Sequence, residues 1–70
     1  MALAKVIEVI GEGSSVENAV ENIAAEASKS LRDVRSIYVD GIKAWVKDGE
    51  VQSYRVNAKV TFVLDDSDDT

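Results

Sequence analysis

The sequence predicts an α+β protein of β-α-β-β order, in which a three-stranded antiparallel sheet of strand order 1-3-2 curls around one helix. Three stretches carry that reading. The first is the β-branched run "AKVIEVI" at residues 4–10, stopped by "GEG". The second is an alanine-rich segment up to Leu31 with apolar residues at helical spacing, and the third is a pair of long alternating segments joined by "KDGE" at residues 47–50. Residues 1–64 form a single domain, followed by the solvated acidic tail "DDSDDT" at 65–70.

Taken in order, residues 4–10 make the first strand, and the helix starts behind the glycines. Ser14 and Glu17 fit a capping box, in which a hydroxyl and a carboxylate satisfy the free amides of a helix start. Val16, Ala19, Val20, Ile23, Ala24, Ala27 and Leu31 then fall on one stripe, with Glu17, Glu21, Asn22 and Lys29 opposite. So many alanines let the helix lie close on a sheet. Asp48-Gly49 is a strong type I′ hairpin signal, because that turn needs positive φ at both central residues.

Counting outward from this turn sorts two faces. Ile37, Val39 and Gly41 oppose Val60, Ala58 and Val56, with Tyr54, Phe62 and Leu64 continuing the side that meets the helix. The other side pairs Ser36 with Thr61, Tyr38 with Lys59, Asp40 with Asn57, Ile42 with Arg55 and Ala44 with Ser53. Gly41 marks a bulge or bend. Trp45 lies nine residues beyond Ser36, roughly 30 Å away, and this count puts it on the opposite face. A right-handed crossover makes the first two strands parallel, so the third fits between them. One helix then covers one face, and the second is left for partners.

Composition narrows the function. A seventy-residue domain buries only roughly 60% of the surface its unfolded chain exposes, yet 46% of this chain is hydrophobic. Without cysteine, no disulfide or thiolate-metal site supports the small core, so self-association is the remaining route. Without histidine or cysteine, the usual nucleophiles and bases are missing, and Ser14-Ser15 lacks the G-x-S-x-G setting of a nucleophile elbow; no catalytic residue is assigned and no enzyme is expected. Net charge is −5, but setting aside Asp65, Asp66, Asp68 and Asp69 leaves nine acids against eight bases. That near-neutral body has no basic surface for nucleic acid. Lys5 and Glu8 interrupt the apolar start, and no run reaches membrane-spanning length, so a cytoplasmic protein is expected.

"KVIEVIG", the Ser-capped helix ending in "SLRDVR", the "DGEV" hairpin and the closing strand "YRVNAKVTFVLD" together resemble the dodecins, small β-α-β-β proteins that assemble as hollow shells of twelve identical subunits. The likeness spans nearly the whole chain and runs without a gap from Leu31 to Asp65. It implies a non-enzymatic homododecamer that sequesters a small ligand, FMN or riboflavin, at subunit interfaces. Flavin-binding dodecins stack isoalloxazine rings on a tryptophan and read the pyrimidine edge with a glutamine. Those positions are Ser36 and Arg55 here, so the candidate ligand residues are Ser36, Tyr38 and Arg55.

A branch of the family lacking that tryptophan is described as binding calcium, and this sequence looks more like it. Asp40 and Asn57, facing each other in the counted register, are the candidate ligands, with Asp48 and Glu50 as further oxygens. In a purely structural shell, Arg55 takes a carboxylate or carbonyl from a neighbouring chain.

Overall fold

A computed structural model describes residues 3–65. Its elements are β1 (Leu3–Gly13), α1 (Val16–Ser30), β2 (Val34–Lys47) and β3 (Glu50–Asp65), and the sheet runs β1-β3-β2 with both pairings antiparallel. The predicted order and topology hold. β3 takes in Asp65, the first residue of the expected tail; residues 66–70 lie outside the described part.

The glycines do not stop β1. The strand continues through Gly11 and Gly13, whose missing side chains admit the helix. A Cβ at Gly11 would run into the Ile23 side chain, and one at Gly13 would sit 2.6 Å from the Ala19 amide nitrogen. The helix begins one residue later than the capping box implied. Ser15 is the N-cap and its hydroxyl accepts from the Asn18 amide at 2.9 Å, while the Ser14 amide donates to Asn18 Oδ1 at 3.0 Å. Asn18, not Glu17, therefore returns the bond, because it holds the third position after the true cap.

Buried Ala19 and Ile23 of α1 meet Val56, Ala58 and Val60 of β3, with Ile7, Val9, Val34 and Ile37 packed around them. Phe62 is buried too, but Leu64, expected on this side, is exposed. The core sits on the central strand, where neighbours on both sides exclude water. A fifteen-residue helix is about 22 Å long, whereas strands of fourteen and sixteen residues reach roughly 50 Å. α1 thus covers only part of its own face, and Ile42, Val46 and Val51 near the hairpin remain exposed.

The hairpin closes as the sequence specified: Asp48 and Gly49 take φ of 54° and 78°, and Lys47 pairs with Glu50. Farther out the counted register fails. Trp45 pairs with Ser53 but Val46 with Val51, so Gln52 is an extra residue on β3; Val39 pairs with Ala58 but Gly41 with Asn57, so Asp40 is an extra residue on β2. Between these two bulges every pair is displaced by one. Gly41 opposes Asn57, Ile42 opposes Val56, Lys43 opposes Arg55 and Ala44 opposes Tyr54. The expected Asp40–Asn57, Ile42–Arg55 and Ala44–Ser53 pairs do not form. A shift of one exchanges the faces, so Trp45 joins Ser36 and Tyr38 on the side away from the helix, contrary to the simple count.

Candidate functional site

The face away from α1 has β3 as its middle row: Ser53, Arg55, Asn57, Lys59 and Thr61. Alternation along an unbroken stretch of strand puts these five on one side. β1 sets Glu12, Ile10, Glu8 and Val6 opposite Arg55, Asn57, Lys59 and Thr61. β2 sets Trp45, Lys43, Gly41, Tyr38 and Ser36 opposite the row from Ser53 to Thr61.

At the hairpin end these rows make a cluster that crosses all three strands. Arg55 Nε and Nη2 donate to Glu12 Oε2 at 3.1 and 2.9 Å. The guanidinium carbon lies 5.2 Å from the centre of a Trp45 ring, and Lys43 Nζ lies 5.1 Å from it. Both are cation–π distances. Sequence reasoning missed Glu12, because the β1–β3 pairing crosses no tight turn from which a register can be counted. Arg55 finds its carboxylate inside its own chain, where a neighbouring one was expected.

The middle of the face is different. A hollow of about 420 Å³ is lined by Glu8, Val9, Ile10, Asp40, Asn57 and Ala58. Gly41 opposite Asn57 contributes no side chain, and a Cβ there would lie 3.9 Å from Asn57 Nδ2. The Asn57 carboxamide makes no hydrogen bond among the described residues, whereas Asp40 Oδ2 stands 3.8 Å from Lys59 Nζ. An exposed side chain with both a donor NH₂ and an acceptor C=O thus sits next to an apolar wall, Ile10, and an ion pair.

The sequence-assigned residues fall as follows. Ser36, Tyr38 and Arg55 share the face, but Ser36 opposes Thr61, so Arg55 is three pairs farther on, about 20 Å along the strand. One chain does not bring them together. Tyr38, 66% exposed, stands opposite Lys59 and nearest the hollow. Asp40 and Asn57 are not register partners, yet both line the hollow. Asp48 and Glu50 are at the exposed hairpin. Among the described residues no group of three or more His, Cys, Asp or Glu side chains is placed to hold a metal ion, and no helix is long and apolar enough to cross a membrane.

A short helix on one part of a long three-stranded sheet, with polar rings, ion pairs and bare aliphatics on the other face, defines a class of small protein built around its uncovered sheet. The family model for dodecins matches residues 3–65, and the chain belongs to the Dodecin family. Among solved structures it is similar to the dodecin from Streptomyces coelicolor, with 31% identity and a TM-score of 0.85 over 94% of this chain and 96% of that one. The dodecin from Streptomyces davaonensis gives 26% identity and 0.84, covering 91% and 96%. A mutant T. thermophilus dodecin gives 27% and 0.86, covering 93% and 98%. No curated protein matches the chain by sequence.

Proposed function

We propose that this chain is the subunit of a cytoplasmic, non-enzymatic homododecameric shell that holds a small ligand of the flavin class at its subunit interfaces. One observation carries the proposal: large aliphatic and aromatic side chains stand bare on the uncovered face, Val6 being 52% exposed, Ile10 63% and Tyr38 66%. A buried core of four small residues and two larger ones cannot compensate for that exposure in an isolated subunit. Identical copies covering the sheet remove the apolar area from water and enclose the hollow. Membership of the family supports both the shell and the ligand class. Tyr38 and Ser36 line the ligand side of the contact, and Arg55 borders it.

Sedimentation velocity at micromolar concentration is expected to give a particle of twelve subunits; a stably folded 7.6 kDa species would overturn the shell. Riboflavin or FMN added to the shell is expected to lose fluorescence on binding, as ring stacking quenches it. Undiminished fluorescence at saturating protein removes the flavin class.

A second reading has its own observation. Arg55 is occupied by Glu12 and Trp45, and Ser36 offers no ring, which favours a structural or calcium-binding shell without flavin. The Glu8 and Asp40 carboxylates and the Asn57 carbonyl are oxygen donors of the right kind, but calcium takes six to eight, so copies of the chain or water complete the set. A ligand that binds only the folded state raises its stability. Calcium is therefore expected to raise the melting temperature and a chelator to lower it; a melt unmoved by either leaves the structural role alone.

A further inference from the structure

The hollow in the middle of the uncovered face contains one side chain suited to reading a ring edge. Of the charged groups in that row, Arg55 is engaged by Glu12 and stacked with Trp45, and Lys59 faces Asp40. Neither presents an acceptor. Asn57 between them presents an N–H₂ and a C=O side by side, neither bonded among the described residues. Space exists on both flanks. Gly41 leaves the β2 side open, and Ile10 on the β1 side offers an aliphatic wall for a flat ring. A carboxamide matches a planar group with an adjacent donor and acceptor, as it does when asparagine reads the edge of a base.

We infer that Asn57 is the specificity-determining residue of the ligand site, pairing with the C=O/N–H edge of a cyclic imide or amide. The inference rests on the proposed ligand-binding shell and adds which residue selects the ligand and which edge it selects. The arrangement places that edge at Asn57 and leaves Arg55 as a structural neighbour. A ring so bound lies along Ile10 with one side toward Tyr38.

The test is fluorescence titration of riboflavin and of N3-methylriboflavin, whose imide N–H is blocked, against the assembled wild-type chain, Asn57→Leu and Asn57→Asp. Sedimentation confirms that each variant still assembles. Asn57→Leu, with the same branching and unable to hydrogen-bond, is expected to weaken riboflavin binding about tenfold or more. N3-methylation is expected to weaken binding to the wild type but to make little difference in Asn57→Leu. If Asn57→Leu does not assemble, Asn57→Asp, which keeps the shape and loses the donor, is expected to give the same loss. Riboflavin binding to the tested variant at wild-type strength, or an equal penalty for methylation in wild type and variant, overturns the inference and leaves the shell intact. A wild-type shell that binds neither flavin overturns this inference together with the ligand class proposed above, while its twelvefold mass would still stand.

Discussion

Single side chains in this protein work within narrow spatial limits. Ile23 fills the gap over Gly11, so the pair trades one residue's bulk for the other's absence. Ile23→Ala is expected to cost about 2–5 kcal/mol, the range for an aliphatic residue removed from a packed core. Gly11→Ala is expected to cost about 1–3 kcal/mol by overpacking, since the new methyl meets the same Ile23. Urea denaturation at one fixed protein concentration reads both, and a neutral Gly11→Ala would show that the helix has room to withdraw. The Glu12–Arg55 ion pair is half-exposed, so Glu12→Gln should lower stability by no more than about 1 kcal/mol, with the difference shrinking as salt is added.

At the scale of elements, the helix start and the long hairpin can be tested separately. Ser15→Ala removes the hydroxyl that accepts from the Asn18 amide and is expected to cost about 1 kcal/mol, whereas Ser14→Ala, whose own amide bond survives, should cost less. Equal losses in thermal melts would restore the cap to Ser14. Deleting Asp40 removes the extra residue of the β2 bulge while every pair from Gly41 to Trp45 can persist. Bulges bend and twist a strand, so the deletion is expected to preserve far-ultraviolet dichroism but change or abolish assembly in sedimentation.

Much of this architecture was legible in the sequence because the decisive signals are local. Asp48-Gly49 fixes the turn, the Val16-to-Ala27 spacing fixes the buried stripe, and crossover handedness orders the strands. What escaped is what counting presumes: that every residue outward from a turn takes a partner. The glycine at 41 hinted at the bulge, but nothing marked Gln52 as its counterpart, and so Trp45 was assigned to the wrong face. Glu12 reaches Arg55 across 43 residues of chain, a separation at which no local pattern reports contact. Of the candidate site, Asp40 and Asn57 line one hollow although the pairing the count gave them does not exist, and the Ile10 wall depended on β1 register.

For the whole molecule, the governing fact is a helix less than half as long as the two hairpin strands it lies on. In the proposed shell, folding and assembly are thereby linked, since the subunit alone leaves much aliphatic surface in water. The melting temperature is expected to rise with protein concentration. Ile10→Asp, placing an unpaired charge where a copy would dock, should abolish the large particle in sedimentation.

The offset insertions at Asp40 and Gln52 carry one more consequence, for anyone scanning this hairpin by saturation mutagenesis. Along β2 the inward-pointing positions are even-numbered at Val34, odd-numbered at Ile37 and Val39, and even-numbered again at Ile42 and Ala44, because a further register shift falls between Val34 and Ser36. Mutational tolerance should therefore oscillate with period two and invert its phase at Arg35 and again at Asp40, like a wave reflected at two boundaries.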